Sequence, residues 1–162
     1  MTWQILIILM LIYKYNARIV DVGTAFLYRM LDNEIFMEAP SGSGYGNNEC
    51  VKLEKAIYGL VQAAQQYYKY FAESLIRMGF IHLKADPCLL THKNEKGIVY
   101  VAVWVDDSLL IGDKQGIMDL IKEIEQTTMT FKVTDSLQNY LSCEINFDMN
   151  KTRVWIYQPH LI

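Results

Sequence analysis

Val99-Tyr100-Val101-Ala102-Val103-Trp104-Val105-Asp106-Asp107-Ser108-Leu109-Leu110-Ile111 decides the fold of this chain. Both flanks of the acidic pair are too apolar and too β-branched to be loops, so they read as two strands of a hairpin with Asp106-Asp107 at its tight turn. Two like charges at such a turn repel. They become favourable when a divalent cation sits between them. Oxygen-only ligands suit Mg²⁺, which binds through one or two carboxylates plus substrate phosphates. A solvated Asp-Asp turn that needs no metal is the other reading of these two residues.

A third carboxylate, Asp21, ends Ala17-Arg18-Ile19-Val20 and precedes Val22-Gly23-Thr24-Ala25-Phe26-Leu27. Metal-assisted phosphoryl transfer needs acidic ligands from separate strands, so that two ions about 3.5–4 Å apart hold the attacking and the leaving oxygen. Asp21 is the candidate bridging partner.

Working outward, Ile5-Leu6-Ile7-Ile8-Leu9-Met10-Leu11-Ile12 reads as a buried helix with Thr2 as its N-cap. It lacks the basic flank and the small-residue cleavage site of a signal peptide, and it is too short to span a bilayer. Glu34-Ile35-Phe36-Met37-Glu38 is extended, and the glycine-rich stretch from Ser41 to Asn48 is a loop tip within one domain. Ala64, Tyr67, Tyr68, Phe71, Leu75 and Met78 recur at helical spacing, with Gly79 as the stop. That aromatic stripe reads as core rather than as a base-stacking platform.

Pro87–Thr91 and Ile98–Val101 flank Asn94-Glu95-Lys96-Gly97 as a second hairpin. Asp113 caps a helix whose inner face is Ile117, Leu120, Ile121 and Ile124, and three short strands follow at Phe131–Val133, Glu144–Phe147 and Val154–Tyr157. The order β-α-β-β-α-β predicts an α+β fold: an antiparallel sheet of ferredoxin-like connectivity with helices on one face. The opposite face, carrying the carboxylates, is expected to lie open for a substrate.

At 162 residues the chain is one domain or a piece of one, and 52% hydrophobic content separates it from disordered sequences. Cys50, Cys88 and Cys143 are scattered and odd in number, which excludes a disulfide framework and a zinc site and fits a reducing compartment. His82, His92 and His160 have no metal-ligand spacing and read as ordinary surface or partly buried residues. Fifteen basic against 18 acidic residues leave a net charge of −3, where a nucleic-acid binder presents a basic face.

Four motifs occur in one order and spacing: Asp21-Val22-Gly23-Thr24-Ala25-Phe26-Leu27, Ile57-Tyr58-Gly59-Leu60-Val61-Gln62-Ala63, Ala85-Asp86-Pro87-Cys88 and Val105-Asp106-Asp107. In these the chain resembles the reverse transcriptase of copia-type retrotransposons, from Thr2 to Ile162. The resemblance implies a polymerase palm over residues 1–162 with adjoining partial fingers, fingers and thumb both incomplete, as a truncated piece of a longer polyprotein. The missing positive charge would then belong to flanking regions.

By position, Asp21, Asp106 and Asp107 match the family's three catalytic, metal-binding carboxylates, which hold two Mg²⁺ ions, with Mn²⁺ as a substitute. Phe26 matches the aromatic that packs under the incoming sugar and excludes a 2′-hydroxyl; a core phenylalanine in an apolar run is its alternative. Val22 to Thr24 and Ala25 would lie near the triphosphate, where Gly23 permits close approach. Gln62 resembles the glutamine that contacts the incoming nucleotide or template, although a glutamine at a helix start is otherwise unremarkable. Tyr140-Leu141-Ser142 takes the place of a Phe-Leu-Gly turn that seats the primer end. If that turn needs a positive φ, Ser142 is strained there.

The departures concern charge and detail. Val61-Gln62-Ala63-Ala64-Gln65-Gln66-Tyr67 stands where the family has Lys-Gln-Ala-Pro-Arg-Gln-Trp, Tyr28-Arg29 replaces Asn-Gly, and Trp104 replaces a tyrosine. The resemblance implies an RNA-directed DNA polymerase that adds deoxynucleoside triphosphates to a primer on an RNA or DNA template. Its other partner would be the remainder of a retrotransposon polyprotein, with no membrane involved. It would act inside the cell, in a cytoplasmic virus-like particle or the nucleus. The alternative is a degenerate, catalytically inactive remnant with a palm-like fold.

Overall fold

The computed structural model describes residues 2–28, 30–46 and 49–159. Its centre is the expected hairpin. Strand β6 (Gly97–Trp104) pairs with β7 (Asp107–Gly112), and Trp104 lies opposite Asp107, so the two-residue loop is Val105-Asp106. Asp107 is therefore the first residue of a strand, not part of the turn itself. Val105 has φ 51, a left-handed conformation that a β-branched residue adopts only under strain. Leu109, Leu110 and Ile111 are all fully buried, because β7 is covered on both faces.

Strand β1 (Asn16–Val22) lies between β7 and β8 (Phe131–Thr134). Beyond β6 come β5 (Asp86–Asn94) and the short β4 (Ile81–Leu83), giving the order β4-β5-β6-β7-β1-β8 with every neighbour antiparallel. Helix α2 (Ala63–Arg77) precedes β4, and α3 (Lys114–Glu125) joins β7 to β8. Followed along the chain, β1, α2, β6, β7, α3 and β8 realise the expected split β-α-β-β-α-β order. The ribbon of β2 (Met30–Glu38) and β3 (Cys50–Lys55) is inserted between β1 and α2. Asn47 and Asn48 of the glycine-rich loop, and His160, lie outside the described residues.

Helices α2 and α3 share one face of the sheet. Tyr67, Phe71 and Leu75 of α2 and Ile117, Leu120 and Ile124 of α3 pack with Val20, Val22, Val99, Val101, Val103 and Leu110. Ala64, expected on the inner face, is exposed, and its place is taken by Ala63 and Gln66. The α2 stop follows the glycine rule: Gly79 N–H donates to Ile76 O at 2.9 Å and Phe80 N–H to Leu75 O at 3.0 Å, with Gly79 at φ 90. Asp113 precedes α3 as expected, but its carboxylate accepts the N–H of Ile98 at 2.8 Å and only its carbonyl serves the helix, through Ile117 N–H at 3.0 Å.

The opposite face corrects the expectation of an open surface. Helix α1 (Thr2–Tyr13) lays Leu6, Ile7 and Met10 against Ile19, Leu89, Leu109 and Ile111. A small sheet of β9 (Asn139–Tyr140), β10 (Cys143–Phe147) and β11 (Val154–Tyr157) adds Tyr140 and Ile145 to the same cluster. Each such aliphatic chain is worth about 1.5–3 kcal/mol when buried, so a face lined by Ile19, Leu109 and Ile111 does not stay bare. Thr2 is itself helical, so it is not the cap; its hydroxyl donates to the Asp86 carboxylate instead. Ile5, Ile8 and Ile12, on the outer side of α1, are exposed. Among the described residues no helix is long and apolar enough to cross a membrane.

Candidate functional site

The β1–β7 register sets Asp21 directly opposite Asp107, and Val22 N–H donates to Asp106 O at 3.1 Å. Cross-strand partners keep their Cβ atoms about 4.5–5.5 Å apart, so the first two carboxylates are neighbours at one end of the sheet. The row extends to Trp104 beyond Asp107 and to Lys132 beyond Asp21. Asp21 is exposed, whereas Asp106 and Asp107 are half-buried. Burial, and then the charges of Asp106 and Asp21, raise the proton affinity of Asp107 above that of an ordinary carboxylate.

The three carboxylates thus carry a repulsion that a cation would relieve, through oxygen donors alone. Among the described residues, however, no group of three or more His, Cys, Asp or Glu side chains is gathered closely enough to hold a metal ion. A site that binds Mg²⁺ through one or two carboxylates and substrate phosphates needs no finished protein cage. The donor chemistry fits the ion; a preformed cage is what is missing.

The four expected nucleotide-contacting residues divide in two. Val22, Ala25 and Phe26 are buried among the core residues beneath α2 and α3, Phe26 at 6% exposure. Gln62 is half-buried at the start of α2, where its carbonyl accepts Gln66 N–H at 3.0 Å. The structure thus sets Asp21, Asp106 and Asp107 at one end of the sheet without gathering them into a ligand cluster, buries Phe26 in the core, and uses Gln62 as a helix start. The left-handed residue of the turn after β1 is Thr24 at φ 52, whereas a Cβ on Gly23 would meet only ordinary contacts at 3.5 Å and beyond.

Two tyrosines to which the sequence reading gave no site role stand beside the triad. Tyr58 donates its hydroxyl to Asp106 Oδ2 at 3.1 Å and packs edge-on against Phe26, with ring centroids 4.5 Å apart. Burial, and then the hydrogen bond and charge of Asp106, hold its phenol above the ordinary range. Tyr67 lies deeper. Its hydroxyl, like Ser108 Oγ, is buried with no hydrogen-bond partner among the described residues, and burial followed by the charges of Asp106 and Asp21 pushes its proton affinity far up. Tyr58 was visible within Ile57-Tyr58-Gly59-Leu60, but only the hydrogen bond to Asp106 distinguishes it from a surface aromatic.

The Tyr140-Leu141-Ser142 turn flanks the site on the other side. Tyr140 pairs with Cys143, and Leu141 and Ser142 have φ 50 and 61, the two positive values of a type I′ turn. Ser142 therefore occupies a left-handed position, which meets the condition under which the sequence made it strained. Tyr140 packs edge-on against Trp3 at 5.8 Å and has its phenol raised by burial and then by Asp107.

The family model described as reverse transcriptase (RNA-dependent DNA polymerase) matches residues 2–159. The chain is 30% identical over 146 residues to the retrovirus-related Pol polyprotein from transposon TNT 1-94 of Nicotiana tabacum, covering 88% of this chain and 11% of that protein. It is 33% identical over 125 residues to the Pol polyprotein from transposon RE1 of Arabidopsis thaliana, 75% of this chain and 8% of that one. A putative transposon Ty5-1 protein of Saccharomyces cerevisiae is 27% identical over 132 residues, 80% of this chain and 43% of its own length. The chain thus spans about a tenth of the two plant polyproteins it matches. No solved structure matches it with significance. A match from Thr2 to Pro159, with the three carboxylates at one end of a single sheet, means that the chain belongs to the reverse transcriptase family, in the form carried by copia-type retrotransposon Pol polyproteins.

Proposed function

We propose that this chain is the palm-like portion of an RNA-directed DNA polymerase, which transfers deoxynucleotides to a primer 3′-hydroxyl on an RNA or DNA template. The observation that carries the reading is the β1–β7 register, which sets Asp21 against Asp107 with Asp106 in the adjoining turn. Asp21, Asp106 and Asp107 would hold two Mg²⁺ ions, or Mn²⁺ in their place. Bound ions of this kind supply Lewis-acid activation of the primer hydroxyl and neutralise the departing pyrophosphate. The chain's own contribution is electrostatic and positional. The charges of Asp21, Asp106 and Asp107 favour the arrival of a cation, the exposed backbone at Gly23 and Thr24 would border the triphosphate with Val22 and Ala25 buried behind it, Gln62 would contact the nucleotide or template, and the turn at Leu141-Ser142 would seat the primer end.

The test is primer extension by a version carrying complete fingers and thumb. Asp21→Asn and Asp106→Asn should each lower extension by several orders of magnitude while circular dichroism and thermal unfolding stay native-like. Unchanged extension in either variant would refute the assignment. The net charge of −3 and the absence of a gathered three-ligand cluster among the described residues favour a second reading, a non-catalytic remnant. That reading expects no extension from the completed version even with the triad intact.

A further inference from the structure

Two left-handed positions where glycine is the usual residue are filled by lysine in this chain. Helix α1 closes with Tyr15 N–H on Met10 O at 3.1 Å and Lys14 at φ 58, the helix end that favours glycine. The loop from β10 to β11 turns with Lys151 N–H on Asp148 O at 2.9 Å and Lys151 at φ 50, again the place of a hairpin glycine. A left-handed lysine is strained, and such strain collects where a side chain holds a ligand. The two lysines also meet: Lys14 Nζ donates to Lys151 O at 3.3 Å. Among the described residues neither forms an ion pair. Asp148, beside Lys151 in the loop, is engaged by the loop itself, accepting Thr152 N–H at 2.6 Å and Arg153 N–H at 2.7 Å.

These lysines border two adjoining cavities, of about 350 Å³ and about 250 Å³, that share Met10, Tyr15, Asn16 and Lys151. The larger also has Arg18 and Gln138 in its wall, with Leu137, Ile145 and Phe147 as apolar lining. Arg18 uses Nε on Asp135 at 2.6 Å and Nη1 on Ala17 O at 2.8 Å, and its Nη2 has no partner among the described residues. We infer that this hollow binds a nucleoside monophosphate unit, either free or as the unpaired end of a nucleic-acid strand. Lys14, Lys151 and Arg18 supply the cationic donors that a phosphate takes, and the carboxamides of Asn16 and Gln138 carry the paired donors and acceptors that match a base edge. Leu137 and Phe147 give the base an apolar surface, as does Tyr15, whose ring is stacked on Tyr13 at 5.4 Å. The opposing charge is Asp135, whose side chain is 81% exposed to screening solvent. Asn16 stands five residues before Asp21, about 17 Å along β1, so the hollow is a separate site from the acidic end. A single nucleotide gripped there does not place a primer-template at the carboxylates.

The experiment titrates the whole chain, in EDTA at low salt, with UMP and with inorganic phosphate by calorimetry, and with a labelled oligo(U) strand by fluorescence anisotropy. UMP should bind at least about tenfold more tightly than phosphate, because only UMP has a base for the apolar lining and the carboxamides. Tighter binding of oligo(U) than of UMP assigns the site to a strand, and the reverse assigns it to a free nucleotide. Lys14→Gly combined with Lys151→Gly should weaken UMP about tenfold and at the same time raise the urea midpoint, since glycine suits both backbone positions. Lys14→Gln combined with Lys151→Gln, which removes the charges and keeps the strain, should weaken UMP to a similar degree without that rise. UMP that does not bind the unaltered chain, or binds no better than phosphate, overturns the inference. So does an affinity indifferent to the lysines, or a midpoint that falls in the glycine variant, which would make them structural. Because EDTA keeps divalent cations from the acidic end, none of these outcomes depends on the polymerase reading.

Discussion

Replacing Asp107 with asparagine keeps the shape of the side chain and removes one of the charges at the strand ends. Asp107 and Asp21 are direct cross-strand partners. At about 5 Å, with an effective dielectric between about 40 and 80, two unit charges repel by about 0.8–1.7 kcal/mol. Because Asp21 is exposed, the value belongs toward the screened end, about 1 kcal/mol. For a chain of this size that corresponds to a rise in Tm of about 2–4 °C.

The dependence on pH has a definite sign. Burial, then Asp106 and Asp21, raise the folded-state pKa of Asp107 above its unfolded value. The group's contribution is therefore fully present below the unfolded carboxylate pKa, about 4, and is lost as pH rises through the raised value. Asp107→Asn should melt higher than the unaltered chain at pH 7 in EDTA and show little difference at about pH 3. With Mg²⁺ at ten times its Kd the unaltered chain should gain about 1.4 kcal/mol, and the variant should gain much less. Scanning calorimetry at both pH values, with EDTA and with Mg²⁺, reads all four conditions. A variant that melts lower at pH 7 in EDTA, or that gains as much from Mg²⁺ as the unaltered chain, would refute the reasoning.

Ser142→Gly should stabilise the chain by about 1 kcal/mol, since a non-glycine residue at φ 61 carries a left-handed penalty; a urea midpoint that does not rise would show that the turn has relaxed around serine. Gly97→Ala should cost 2 kcal/mol or more, on the order of other strained overpacked sites, because its Cβ would fall 2.1 Å from the Asp113 carboxylate at φ 116; an unchanged urea midpoint would count against that geometry. On poly(rA) primed with oligo(dT), the 162-residue chain by itself should not extend in Mg²⁺ or Mn²⁺, because 15 basic against 18 acidic residues give a template no net electrostatic hold; extension by the isolated chain would refute this.

The central sheet was legible because its determinants are local. The apolar, β-branched run Val99–Val103 and the glycine stop at Gly79 each fix their own neighbourhood, and the structure realises both; the acidic pair marks the chain reversal, with Asp106 in the loop and Asp107 opening the next strand. The helical stripe of α2 was legible in period but not in phase: Ala64 and Ala63 are chemically identical, and only the sheet beneath decides which is buried. The place of α1 was not legible. An eight-residue apolar run has no polar face to orient it, so the sequence shows that it is buried against something without showing that the something is the carboxylate-bearing side of the sheet. Asp113 illustrates the same limit on a smaller scale, because whether a carboxylate before a helix caps it or reaches the neighbouring strand depends on a partner, Ile98, fifteen residues away.

At the site the boundary between legible and hidden runs between the carboxylates and the aromatics. Three acids set beside apolar strands announce themselves, since like charges placed side by side repel unless a cation neutralises them. Phe26 and Tyr58 do not divide so simply. Both are aromatic, both directly follow an apolar residue, and Phe26 stands nearer to Asp21 in sequence. What separates them is backbone conformation. The short helical turn Ala25–Tyr28 rolls Phe26 inward beneath α2, while the positive φ at Gly59 swings Tyr58 to the corner of its turn and into reach of Asp106. A spacing rule counts residues from Asp21 and finds Phe26. Exposure follows the path of the chain, and that path leaves Tyr58 63% exposed with its hydroxyl on Asp106.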